Sequence, residues 1–234
     1  MDWQSLAHSL FDDHHDIRQQ GELLSGEATF GPSREVIGVV GTTHHASIGV
    51  ALALAQARFV LDTIERHPAR AILLLVDTQG QQLRRQDELL GINRAMAHLG
   101  CCIDLARRQG HRVIGLVYEQ ALSGGFITSG LIADACYALP EAEIRVMRIP
   151  AMARVTKLPE AFLVQLSASN PVFAPGVDNY VAMGGVRAVW RDDLRSCLAA
   201  ALTDGTRADE RARDGASRGG RRFAQRVIDQ VLDA

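Results

Sequence analysis

The chain predicts an α/β fold in which a mainly parallel sheet is covered by helices. Three observations carry this: apolar runs of strand length at 36–40, 71–77 and 113–118, a helical stretch after each, and a core-sized chain of 234 residues that is 47% apolar. Strands buried on both faces read as continuous apolar runs, and strand–helix–strand repeats place successive strands parallel. The size suits a single domain spanning 1–234.

Taken in order, residues 2–11 form an amphipathic helix and 12–34, with Gly21, Gly26, Gly31 and Pro32, an irregular or hairpin-like extension. Val36 to Val40 is the first buried strand. Ser47 offers an N-cap for a long helix that His67-Pro68 stops after Arg66. Ala71 to Asp77 is the next strand, Thr78-Gln79-Gly80 a turn, and Leu83 to Arg108 a mostly helical run closed by Gly110. Val113 to Tyr118 is the third strand, 119–125 a loop and 126–132 a helix. Short strands follow at 136–139 and 144–147, then helices at 151–156 and 159–169, a strand at 186–190 and a helix at 192–202. The charged, glycine-rich stretch 207–222 reads as a mobile surface segment whose Arg218, Arg221 and Arg222 are solvated or meet phosphates or an acidic partner, before a last helix over 223–232.

Composition removes several classes of function. A formal net charge of −2 with 22% charged residues lacks the basic excess of a nucleic-acid binder. The first eight residues are too polar for a secretory core, and charge interrupts each apolar stretch before about 18 residues, so no membrane span is expected and the cytoplasm is the expected compartment. Cys101, Cys102, Cys136 and Cys197 lack C-x-x-C spacing and read as reduced, structural thiols.

The chemistry concentrates where Val113–Tyr118 runs into Ala121-Leu122-Ser123-Gly124-Gly125-Phe126. Paired glycines between a strand and a helix let main-chain N–H groups approach a ligand without a Cβ in the way, and the helix N-terminus favours developing negative charge. That is the outline of an oxyanion hole. The alternative is that Gly124 and Gly125 only let the helix pack closely on the strand. Ser123 nearly fits a nucleophile elbow, yet none of the eight histidines lies beyond it in the chain, as a hydrolase order demands, so Ser123 is a turn or ligand-contact residue.

His44 and His45 sit in a strand-to-helix loop where one of them is placed to line a pocket. Neither this pair nor His14-His15 has metal-ligand spacing, so no metal is expected. The polar run Asp77-Thr78-Gln79-Gly80-Gln81-Gln82 ends a buried strand at the sheet edge where open α/β sheets bind ligands. No dinucleotide or P-loop motif is present.

From Ala71 onward this order of parts resembles the crotonase superfamily, with Ala121–Gly125 as the glycine turn and Asp134 nine residues past Gly125. The hydratase glutamate position of that superfamily, three past Gly125, is Thr128, so water addition loses its acid–base group. Within the superfamily the chain is similar to the carboxyltransferase branch, and specifically to gamma subunits of biotin-independent malonate decarboxylases. The likeness rests on Val39–His44 with Ala46–Val50, on Leu75–Gln81 with Glu88–Gly91, and on Leu122–Phe126.

The resemblance implies a crotonase-like spiral of strand–strand–helix units and a heterodimer with a homologous beta subunit. It implies decarboxylation of a malonyl thioester, carried on the CoA-like prosthetic group of an acyl carrier protein subunit, to an acetyl thioester and CO2. A transferase subunit reloads the carrier, and neither biotin nor another cofactor is bound by this chain. Of the catalytic pair Gly124 and Gly125, the Gly125 amide supplies an oxyanion donor and Gly124 shapes its approach, while the Gln79–Gln81 turn positions the departing carboxylate or supplies another donor. Ser123, Thr78, Gln79, Gly80, Gln81 and His44 contact substrate, and Gly125→Val is expected to abolish turnover while sparing assembly. Half of a biotin-dependent acyl-CoA carboxyltransferase, or a non-catalytic scaffold, are the alternatives.

Overall fold

The structure, a computed structural model, describes residues 1–169, 176–205, 208–220 and 224–233. Its elements run α1 (Trp3–Phe11), β1 (Arg18–Gln20), β2 (Leu23–Phe30), β3 (Glu35–Thr42), β4 (Ala46–Ile48), α2 (Val50–Arg66), β5 (Ile72–Gln81), α3 (Arg85–Leu89), α4 (Ile92–Arg108) and β6 (Val113–Leu122). They continue as α5 (Ser123–Phe126), a π-helical turn (Ile127–Leu131), β7 (Ala135–Ala138), β8 (Glu143–Arg145), α6 (Ile149–Thr156), α7 (Glu160–Ser169), α8 (Val177–Ala182), β9 (Ala188–Val189), α9 (Leu194–Thr203), α10 (Arg211–Ser217) and α11 (Ala224–Leu232).

Among the described residues the strands make one sheet in the order β1-β2-β3-β5-β6-β7-β9, with β4 added to β5 and β8 to β6. The β3-β5-β6-β7-β9 ladder is parallel, as the buried runs required. One face packs Leu73, Leu75, Ile114 and Leu116 against α1 and α9; the other packs Ile72, Leu74 and Val113 against α2 and α4. Each such side chain, fully buried, contributes about 1.5–3 kcal/mol. Residues 1–34 join this core: α1 buries Leu6, Ala7, Leu10 and Phe11, and β2 pairs antiparallel with β3 over eight residues.

Several elements differ from the sequence expectation. Ser47 lies within β4 and caps nothing; α2 begins after Gly49, and the Val50 N–H donates instead to Asp87 Oδ1 at 3.0 Å. Residues 78–81 are not a turn but the upper half of β5, and 119–122 not a loop but the upper half of β6. The 207–222 stretch carries α10, whose neighbour Arg218 donates to the carbonyls of Val181 and Val186 and pairs with Asp214. Arg207, Arg221, Arg222 and Phe223 lie outside the described residues. Helix α7 does not sort its apolar and polar residues onto separate faces: Phe162 and Val164 are exposed, and Leu163 is its one fully buried side chain among those described. No helix among the described residues is long and apolar enough to cross a membrane.

Candidate functional site

The site arises where β5 and β6 change partners. Below Val76 the two strands are in register, Ile72 to Val76 opposite Val113 to Val117; above it the register shifts, so that Thr78 lies opposite Ala121. Between those pairs β6 advances four residues to two in β5, and such a bulge bends the strand and increases the twist of the upper halves. There they pair with β4 (Ser47 with Gly80, Ile48 with Gln81) and with β8 (Ala121 with Ile144, Leu122 with Arg145). Thr78 is fully buried, its hydroxyl donating to the Ala46 carbonyl at 2.7 Å and accepting from the Gly80 N–H at 3.0 Å. Thr78 therefore supports the bend and is closed to substrate, a correction to the contact role expected for it. Gln79 is exposed, and Gly80 is buried beneath Ser123.

Ser123 turns the chain from strand to helix with φ +56°, and no side chain caps the turn. The first three N–H groups of a helix have no acceptor inside it, so those of Ser123, Gly124 and Gly125 are the open donors here. The two glycines differ. A Cβ on Gly125 would lie 2.8 Å from Gly80 Cα and 3.1 Å from Thr78 Oγ1, so this glycine seats the helix against the backbone of β5. The expectation that Gly125→Val leaves assembly intact is corrected on that ground. A Cβ on Gly124 would meet one side-chain atom group, Gln81 Oε1 at 3.2 Å.

Gly124 opens into a cavity of about 450 Å³ lined also by Gln81, Glu88, Ile92, Met96 and Thr128. Among the described residues Gln81 Oε1, buried in its lining, has no hydrogen-bond partner, a state that costs about 1–3 kcal/mol unless a ligand or water supplies a donor. Beyond α5 the helix widens into the π turn, a geometry that frees carbonyls and is frequent at functional sites. Side chains take them up: Ser129 Oγ donates to the Gly125 carbonyl at 2.7 Å, and the Thr128 hydroxyl is shared between the Gly124 and Gly125 carbonyls at 3.3 Å each. The Gly124 carbonyl and the Gly125 N–H lie in one peptide plane and point opposite ways, so Thr128 fixes the direction of that donor.

The structure also joins two residues that the sequence left apart. Asp77, buried at the end of the apolar half of β5, accepts from the His45 main-chain N–H at 2.8 Å and the Gln120 N–H at 3.2 Å, and lies 2.8 Å from His45 Nδ1. His44 and His45 both have positive φ, +58° and +51°, and His44 is exposed. Two consecutive non-glycine residues in the left-handed region are strained, and the bonds to Asp77 hold the loop there. Nearby, burial pushes the Tyr118 phenol up, and its hydroxyl donates to the Thr42 carbonyl at 2.9 Å. No cluster of three metal-ligating side chains occurs among the described residues.

Comparison with known proteins accords with this geometry. The model of the malonate decarboxylase gamma subunit family, MdcE, matches residues 43–234. The malonyl-S-ACP:biotin-protein carboxyltransferase MADD of Malonomonas rubra is 37% identical over 134 residues, which cover 55% of this chain and 46% of that protein. The match thus spans about half the length of that relative. Among solved structures, a Pseudomonas malonate decarboxylase hetero-tetramer with coenzyme A superposes with a TM-score of 0.80 at 24% identity over 97% of each chain. A Pseudomonas MdcD-MdcE hetero-dimer gives 0.77 at 25% identity over 98% and 97%. Transcarboxylase 12S gives 0.72 at 22% identity over 86% of this chain and 41% of its own. The fold is that of crotonase-like carboxyltransferases, and the chain belongs to the malonate decarboxylase gamma-subunit family.

Proposed function

We propose that this chain acts as the gamma subunit of a malonate decarboxylase, pairing with a homologous beta subunit in the cytoplasm to convert a malonyl thioester to an acetyl thioester and CO2. The observation that carries the reading is the cavity that Gly124 of the uncapped glycine turn shares with Gln81, whose Oε1 is buried and unpartnered among the described residues. Losing CO2 leaves an electron pair that delocalises onto the thioester oxygen, and preset N–H donors lower that barrier without titrating. Gly124 is the open face of the donor pair and Gly125 its fixed base. A pantetheine-like arm fits the apolar lining, and its amide N–H would satisfy Gln81.

Gln79, Ser123 and His44, all accessible, are the remaining groups proposed to meet substrate or its carboxylate, while Thr78 and Gly80 hold the floor. The substrate arrives on an acyl carrier protein reloaded by a transferase subunit, without biotin. The test is co-expression with a beta subunit and assay of acetyl thioester formation from malonyl thioester, with and without avidin. Turnover indifferent to avidin is expected. A second reading, one half of a biotin-dependent carboxyltransferase, is favoured by the name of the Malonomonas relative; inhibition by avidin would select it.

A further inference from the structure

We propose that the subunit also decarboxylates malonyl thioesters bearing an alkyl group on C2, whose chain enters a second apolar cavity behind Thr128; this rests on the decarboxylase reading above. The second cavity, of about 660 Å³, lies along α4 and is lined by Gly100, Cys101, Leu105 and Ile132 among others. It shares Ala97 and Thr128 with the cavity that holds Gly124 and Gln81, so the two adjoin there. Along α4 the lining passes from Ala97 to Cys101 and Leu105, steps of four that keep to one helix face. Its charged lining residues, Asp104 and Arg108, pair with each other at 2.6 Å. What remains for a ligand is apolar surface, which suits a hydrocarbon chain.

Thr128 is the partition, and its two branches face different ways. Its hydroxyl reaches back over the preceding turn to the Gly124 carbonyl at 3.3 Å, whereas its methyl lies 3.8 Å from where a Cβ on Gly100 would stand. Across from it Ala97 and Gly100 offer a methyl group and a hydrogen, so little bars the way between the cavities. A thioester carbon has three substituents: with its oxygen at the glycine turn and its sulfur arm running toward Gln81, C2 occupies the remaining direction, which Thr128 flanks. Malonyl carries two hydrogens on C2 and leaves the second cavity unused; an alkyl group in place of one of them extends into it. The chemistry is unchanged. The bond from C2 to the carboxylate breaks, CO2 leaves, the electron pair delocalises onto the thioester oxygen, and C2 takes one proton from water to give the straight-chain acyl thioester and hydroxide. Each methylene removed from water strengthens binding by about fourfold.

The experiment uses the assembled complex with its beta subunit and compares malonyl, methylmalonyl and butylmalonyl thioesters. The kcat/KM for butylmalonyl is expected within about tenfold of that for malonyl, a smaller penalty than a closed site sets on several added methylenes. Failure on all three substrates overturns the decarboxylase reading; turnover of malonyl with none of butylmalonyl overturns the alkyl-chain proposal alone. Cys101 is exposed and lines the second cavity but not the first, so Cys101→Trp fills that space without disturbing the core. It is expected to lower the ratio of butylmalonyl to malonyl kcat/KM by about 10–10²-fold. Gly100→Ala, whose added carbon meets Ile132 and Thr128 at ordinary contact distances of 3.6 and 3.8 Å, narrows the same passage and should move the ratio the same way by about two- to tenfold. A ratio that neither substitution changes overturns the placement of the chain in this cavity.

Discussion

The lower and upper halves of β5 and β6 are the same two strands put to opposite uses. From Ile72 to Val76 and Val113 to Val117 they are apolar, buried on both faces and in register. From Asp77 to Gln81 and Glu119 to Leu122 they carry polar side chains, shift register and take β4 and β8 as new partners. Core and site are thus covalently continuous, so the rigidity of the packed half fixes the donors of the other, as a preorganised site requires.

The sharpest break of that contrast is Gly125→Val. A side chain within 3.0 Å of the Gly80 backbone exceeds ordinary overpacking, so loss of folded complex is expected, read as absence of a cooperative thermal transition. Leu116→Ala, in the lower half and fully buried, is expected to cost about 2–5 kcal/mol in denaturant unfolding while the folded fraction keeps its turnover. Gly124→Val reverses the pattern: the fold is kept because only the Gln81 amide must move, and kcat falls about 10²–10³-fold. Ser123→Ala is expected to be tolerated, since no base activates it; total loss would revive a nucleophile.

A pH series sharpens the same division. Burial pushes the Cys136 thiol, beside β6 in the core, up to about 12. A raised value means the folded state holds its proton longer than the unfolded chain does. That contribution is complete below the unfolded thiol value near 8.5 and is lost as pH rises from there toward 12, by at most about 1.4 kcal/mol per pH unit. Urea unfolding between pH 7 and 10.5 should show the decline, and Cys136→Ala should flatten it. The smallest effect is expected of Thr128→Val, which leaves the Gly125 donor less firmly aimed: about two- to tenfold in kcat, at unchanged stability.

Much of the packed half was legible in the sequence. Val113–Tyr118 and Ala71–Asp77 announce buried strands by composition, and the helices after them by period, because burial on two faces leaves a local signature. The bend does not. A bulge between Val76 and Thr78 depends on which strand lies alongside, so residues 78–81 and 119–122 read as loops. The glycine pair was visible as a motif, yet the separate duties of Gly124 and Gly125 depend on Gly80, some 44 residues away. The His45–Asp77 pair spans 32 residues, and its local hint was a carboxylate ending an apolar strand. Helix α8 escaped notice because six residues are too few to show a period.

Helix α7 has a practical consequence. With Phe162 and Val164 exposed on a helix that does not segregate its apolar residues inward, an isolated preparation of the chain presents water with the kind of surface that drives colloidal self-association. Purified by itself, the chain should scatter light increasingly with concentration and with kosmotropic salt, so the solubility of a preparation is governed by this exposed helix.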